Sequence, residues 1–240
     1  MTVHHATTFK TVTINVKNNP LMPQAHVEHD VREASKQGSL IGWQEIGPER
    51  YLKAIKALGP DWGTYAPHDG GLQIPDPISW NKKIWQKEDA GFERTIHGKA
   101  KVTPNRYITW VKLKNKATGK EIVRVNTHLV SGAFSGKGDH AFRLAAWKTH
   151  MQKLDALVDR FEKKGLDVIV GGDFNRDGFK VMGDRVKYDN PLGQPTHGRS
   201  HYDYLMHTRS RDLRRTGEHV DHHYFSDHDA VVGRYKLIGG

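Results

Sequence analysis

Cysteine is absent from the chain, and that one absence removes disulfides, thiolate metal sites and cysteine nucleophiles together. The lack of disulfides suits a reducing compartment, and a cytoplasmic location is expected. No stretch approaches the roughly 20 apolar residues that a membrane helix needs, so no membrane segment is expected. The first residues, Met1-Thr2-Val3-His4-His5, lack a basic segment followed by an apolar one, and no secretory signal is expected. Internal repeats, low-complexity tracts and linkers are also missing, so residues 1–240 are expected to form a single domain, as a monomer. Acids are in deficit: 27 Asp and Glu face 37 Lys and Arg, a formal net charge of +10. Such a balance favours polyanionic partners without choosing among DNA, RNA, anionic lipid and small phosphates.

What is present is a chain of short alternating runs with a few helical stretches. Residues 8–16 alternate, with Val12, Ile14 and Val16 on one side, and predict a strand. Residues 24–37 predict a helix, 39–45 a strand, and 48–58 a helix that Pro48 opens and Gly59 ends. Two or three short strands are expected between Trp62 and His97, then a hairpin from runs 106–113 and 121–129. The strongest helix covers 140–164, where Leu144, Trp147, Met151, Leu154, Val158 and Phe161 recur every three or four residues before Gly165. The run Asp167-Val168-Ile169-Val170 predicts a buried strand ending in "GGDFN", with Asp173 and Asn175 pointing the same way. Residues 176–201 predict a polar loop, and 202–207 and 229–237 the last two strands.

Acids, amides and histidines gather at or near the predicted strand ends: Asn15, Glu45, His128, Asp173, Asn175, Asp203, Asp227 and His228. Each alone has an ordinary explanation as a turn, cap or surface residue. Together, carboxylates and amides without thiolates make a hard, oxygen-rich set of the kind that holds Mg²⁺, Mn²⁺ or Ca²⁺. Two histidines beside acids add groups that exchange protons near neutral pH.

In their order, "TINVKNN", "GWQEI", "NRYITWVKL", "VNTHL", "GGDFN", "HYDYLMH" and "FSDHDAVV" resemble the endonuclease/exonuclease/phosphatase superfamily, in its pancreatic-deoxyribonuclease-like form. The resemblance runs from about residue 11 to 237. It implies an α/β (α+β) fold: a four-layer sandwich of two mostly antiparallel sheets packed face to face, helices outside. It implies that Glu45 and Asn15 hold a divalent metal, with Asp227 nearby. Asp173 and Asn175 would align the phosphate and the attacking water. His228 would act as general base or phosphate contact, oriented by Asp203, and His128 would donate to the phosphate or leaving group. Arg106 would bind phosphate. The family's second histidine has an acidic partner; Asp76 is a candidate here, although its flanking prolines fit a turn better.

The expected activity is therefore divalent-metal-dependent phosphodiester hydrolysis, by a nuclease acting on DNA with Mg²⁺ or Mn²⁺. Two alternatives stand beside it: the same chemistry on a phospholipid, phosphoinositide or nucleotide, and a non-catalytic DNA-binding module. "VNTHLV" stands where the abasic-site branch carries a tyrosine-and-proline motif, which argues against that specialisation. A zinc site from His219, His222 and His223 has no standard spacing behind it, and Asp229 fits a solvated position better than the metal site. Arg176, Lys180, Arg185, Lys187 and Arg199 are candidates for a phosphate-backbone groove, and Trp80 and Trp85 are expected in strands.

Overall fold

The structure, a computed structural model, describes residues 6–47, 49–177, 186–188 and 194–239. Its first half runs β1 (Ala6–Asn15), α1 (Gln24–Gln37), β2 (Leu40–Gln44), α2 (Glu49–Lys56), β3 (Trp62–Tyr65), β4 (His68–Asp69), β5 (Leu72–Gln73), β6 (Ile78–Asn81) and β7 (Trp85–Ile96). Then follow β8 (Arg106–Asn115), β9 (Glu121–His128), α3 (His140–Glu162), β10 (Asp167–Asp173), β11 (Val186–Tyr188), β12 (Asp203–Thr208), β13 (Leu213–Asp221) and β14 (Ala230–Ile238).

Alternation along β1 sets the layering. Val12 and Ile14 face a core shared with Val27, Val31, Tyr51 and Ile55 of α1 and α2. Phe9 faces the other way, into a core shared with Leu113, Ile169 and Leu205 of the opposite sheet. The first sheet has the order β13-β14-β1-β2-β6-β3 and the second β11-β12-β10-β9-β8-β7. The stripe Ala146, Trp147, Leu154, Leu157, Val158 and Phe161 of α3 covers the outer face of the second sheet. The result is the expected four-layer sandwich.

Two pairs of strands are parallel, β1 with β2 and β9 with β10, and each pair is joined through a helix. Parallel neighbours end at the same edge. Asn15, Glu45, His128 and Asp173 therefore all arrive at one rim of the sandwich. The antiparallel neighbours β12 and β14 start there, which adds Asp203, directly opposite Asp173, and the approach to His228.

Several local expectations need correction. Five strands, not two or three, lie between Trp62 and Ile96. The strand β13 was not expected: "LRRTGEHVD" is charged and broken by a bulge, because only one of its faces meets the core. On α3, Leu144 and Met151 are only half-buried, and Arg143 and His150 take buried places. Pro48, the readings of residues 1–5, and Lys180 and Arg185 lie outside the described residues.

Gly171 and Gly172 prove to be packing residues. A side chain at Gly171 would run into Arg124 and Leu205, and one at Gly172 would stand 2.0 Å from the Thr127 carbonyl oxygen, at a φ of +157°. Gly172→Ala is expected to destabilise the fold by at least about 1–3 kcal/mol, measured by urea unfolding, because β9 and β10 must separate to admit the methyl group.

Candidate active site

Asp173 is the centre of the rim. Its Oδ2 accepts from Asn15 Nδ2 at 3.1 Å and stands 3.3 Å from His128 Nε2 and 3.9 Å from His228 Nε2. The Asn15 amide also donates to Glu45 Oε1 at 3.1 Å, and the Asn18 backbone donates to Glu45 Oε2 at 2.6 Å. His228 Nδ1 is 2.8 Å from Asp203 Oδ2. Asn175 Nδ2 reaches His128 Nε2 at 3.2 Å and the Leu129 carbonyl at 3.1 Å. Seven of the expected residues are thus brought together by tertiary structure.

The backbone at these positions is unusual. Lys17, Glu45 and Asn175 take φ values of 51°, 66° and 50°, in the left-handed region that non-glycine residues avoid at a cost of about 1–2 kcal/mol. Asn175 therefore does not continue the alternation of β10, as its spacing from Asp173 had implied. The chain turns instead, and the Asn175 amide N–H donates to Asp173 Oδ1 at 2.8 Å. Phe174 anchors the turn: its side chain is buried and its carbonyl accepts from Trp147 Nε1 at 2.8 Å.

The remaining expected residues sit at the margins. Arg106 is buried, with Nε donating to Thr103 Oγ1 at 3.2 Å, and its charge acts on Asp76, Glu45 and Asp173. Asp227 turns to Lys17 Nζ at 2.8 Å and lies 3.7 Å from His197 Nε2. Asp229 pairs with His222 at 2.8 Å and His223 pairs with Asp221, and among the described residues His219, His222 and His223 do not come together as a metal-binding group. Arg176 lays its guanidinium 4.3 Å from the Phe134 ring centroid. Lys187 and Arg199 are exposed, and Trp80 and Trp85 are buried in strands.

Burial and like charge shape the titration. Burial, then Asp203, raises Asp173 above the ordinary carboxylate range. Burial works against charge on His228, yet Asp203, Asp173 and Asp227 outweigh it and hold the imidazolium up to about 10. Burial, with Arg106 and His228, keeps His128 well below the usual histidine value. The two imidazoles beside Asp173 are thus shifted in opposite directions.

Asp76 needs the largest correction. It is no turn residue: it is buried, among the described residues neither carboxylate oxygen has a hydrogen-bond partner, and burial pushes it up to about 8. His128 Nδ1 is likewise buried without a partner among the described residues. Four other residues were missed. Asp30 receives the backbone N–H groups of Phe225 at 2.8 Å and Ser226 at 3.0 Å. Ser226 Oγ donates to the Asn15 carbonyl at 2.6 Å and accepts from the His228 N–H at 3.2 Å. Thr196 Oγ1 accepts from the N–H of Asp203 at 3.1 Å, and the His197 ring lies 4.5 Å from that of His228. Asp30 carried a signal, a carboxylate inside the apolar stripe of α1; the others carried none.

No protein-family model matches the sequence, and no curated protein matches it. Solved structures do. An endonuclease/exonuclease/phosphatase family protein from Bacteroides thetaiotaomicron superposes with a TM-score of 0.73 at 16% identity, covering 97% of this chain and 98% of the other. The chain has the endonuclease/exonuclease/phosphatase fold. The same fold is seen in a mannosyl-6-phosphatase from B. thetaiotaomicron (TM-score 0.73, 16% identity, 94% of this chain and 98% of that one). It is also seen in D. rerio TDP2 complexed with single-strand DNA product (TM-score 0.71, 13% identity, 95% and 98%). In this fold the rim described here is where both parallel pairs end.

His150 lies under that rim, its ring nitrogens 2.8 Å from Thr95 Oγ1 and 2.5 Å from Thr127 Oγ1. Burial, with Arg106 and Lys153, lowers it to about 3. Between that value and 6.5 the unfolded chain holds the extra proton, so stability falls as pH drops through this window. His150→Gln is expected to flatten that fall by up to about 1.4 kcal/mol per pH unit, followed by chemical unfolding at stepped pH. An unchanged slope would mean that His150 is charged in the fold.

Proposed function

We propose that the protein is a divalent-metal-dependent phosphodiester hydrolase whose substrate is DNA, cleaved by attack of water on phosphorus. The observation that carries this reading is Asp173, a buried carboxylate held between His128 and His228 and tied through Asn15 to Glu45. The donor set fits a hard cation such as Mg²⁺ or Mn²⁺: Glu45 offers a carboxylate at the rim, and Asp173 and Asp76 are carboxylates whose burial alone favours the protonated form. When bound, the metal would withdraw charge from the phosphoryl oxygens. Glu45 and Asn15 would hold it, and Asp227 would join once released from Lys17.

The chain's own groups divide the remaining work. His228, as an imidazolium braced by Asp203, is suited to contact a phosphoryl oxygen and less suited to act as the base. Asp173 is the acceptor for the proton of the attacking water, which Asn175 aligns. His128 and Arg106 approach the phosphate from the second sheet, where the leaving oxygen needs a proton and its charge needs a partner. The net charge of +10 and a structural neighbour solved with single-strand DNA product favour a nucleic-acid substrate. The neighbouring mannosyl-6-phosphatase supports a second reading, hydrolysis of a small phosphate monoester by the same groups.

Purified protein is expected to nick supercoiled plasmid in Mg²⁺ or Mn²⁺ and to stop when chelator is added. Full activity in chelator would remove the metal from the mechanism, and turnover of sugar phosphates without nicking would select the second reading. Asp173→Asn and His228→Ala are each expected to lower nicking by at least about a hundredfold, given what a positioned acid or base contributes. Wild-type rates in either variant would displace that residue from the reaction.

A further inference from the structure

The outer face of the first sheet carries a ladder of cations far from the rim. Helices α1 and α2 cover this face over Val12, Ile14 and Val232, but the strands extend beyond them. There Lys10 of β1 stands directly opposite Arg234 of β14, and Lys236 of β14 directly opposite Arg214 of β13. Arg214, Arg234 and Lys236 are exposed and Lys10 is half-buried. Like charges at opposed positions repel and weaken a sheet. Some surface lysines are matched, Lys17 with Asp227, Lys83 with Asp61, Lys112 with Glu121 and Lys120 with Asp212, and others such as Lys56, Lys87, Lys116 and Lys148 stand singly among the described residues; what sets the ladder apart is cation placed directly opposite cation. Among the described residues, no carboxylate pairs with Lys10, Arg214, Arg234 or Lys236.

Two further observations point to an anion. A cleft of about 590 Å³ adjoins the ladder, with Lys10, Arg234 and Lys36 in its wall. His219, one row further along β13, is held below its usual value first by burial and then by Lys10 and Arg234, against Asp221, so the ladder's charge reaches that row. The rows repeat every two residues along β14, about 7 Å, on a hydrogen-bonded sheet. That matches a linear polyanion better than a single small anion. Membrane surfaces are met by cations together with apolar side chains that insert. The large exposed apolar residues, Leu21, Leu72, Phe92, Phe134 and Phe225, all lie on other elements.

We infer that the outer face of β1, β14 and β13, through Lys10, Arg214, Arg234 and Lys236, is a second binding site for the phosphate backbone of nucleic acid, separate from the site of hydrolysis. Lys10 lies on the same strand as Asn15, five residues upstream, and Lys236 one row further, opposite Thr8, so the ladder stands roughly 17 Å or more along β1 from the rim. A long strand held there would be kept near the site while its cleavable part is free to move. The binding itself does not depend on the activity proposed above.

The test is the fourfold variant Lys10→Thr, Arg214→Thr, Arg234→Thr, Lys236→Thr, compared with a control that loses equal charge elsewhere, Lys56→Thr, Lys87→Thr, Lys116→Thr, Lys148→Thr. Binding of a fluorescein-labelled DNA oligonucleotide is measured in chelator across a salt series. Each lost phosphate contact lowers the slope of log affinity against log salt by about 0.9, so a drop of at least about 2, with affinity at least about tenfold weaker, is expected for the ladder variant. The control should stay near wild type, and thermal melting of the ladder variant should be unchanged or higher. Equal loss in the control, or no loss in the ladder variant, would overturn the inference. Loss of binding to phosphatidylserine vesicles with DNA affinity unchanged would overturn it too, by making the face a membrane contact. Turnover of bis(p-nitrophenyl) phosphate should be the same in wild type and ladder variant. If neither protein cleaves it or any nucleic acid, the hydrolase reading fails while the DNA-binding result stands by itself.

Discussion

Polar groups on the inner faces of two packed sheets need partners, and here a polar seam between the sheets supplies most of them. Gln44 of β2 donates to Asn126 of β9 at 2.6 Å and to Thr13 of β1 at 3.0 Å. Asn126 donates in turn to the carbonyls of Trp43 at 2.7 Å and of Asp76 and Pro77 at 3.2 Å. Deeper in, Arg124 of β9 is wholly buried, donating to Thr11 Oγ1 and the Val12 carbonyl at 3.2 Å and to the Val125 carbonyl. Each bond contributes about 1 kcal/mol net, but a stranded donor would cost about 1–3 kcal/mol, so the seam acts mainly by penalising any other register. Gly42 and Gly171 leave the space that the Arg124 side chain occupies.

That fixed register is what makes the rim possible. Asn15 and Glu45 arrive from one sheet, and His128, Asp173 and Asp203 from the other, and the hydrogen bond of 3.1 Å from Asn15 to Asp173 joins the two sets. A slip of one residue in either sheet would turn half of these side chains to the opposite face. The loop carrying Asp227 and His228 is held separately, by Asp30 of α1 and by Ser226 beneath Asn15. The rim also concentrates three left-handed non-glycine residues, a strain that the seam and the helices offset.

Much of the fold was legible because its signals are local. Period-two runs marked β1, β8 and β9, and an apolar stripe marked α3. The strand β13 was invisible because its outward residues are charged and its inward face is short. The short strands β3 to β6 lacked the length for a period to show. At the site, the order of the motifs named the acids, amides and histidines, but Asp76 could not be told from a turn. Its burial depends on Thr109 and Asn126, which lie 33 and 50 residues away in sequence.

The sequence by itself determined the residue types available, the absence of thiol chemistry, the positive charge and the strand and helix periods, all properties of single residues or short windows. Tertiary structure alone decided that Asp76 is buried, that Gly171 and Gly172 serve packing, and that four cations stand opposed on one sheet face. These follow from which strands are neighbours. Strand pairing sets burial and the distances between charges, and both are fixed only when distant segments meet.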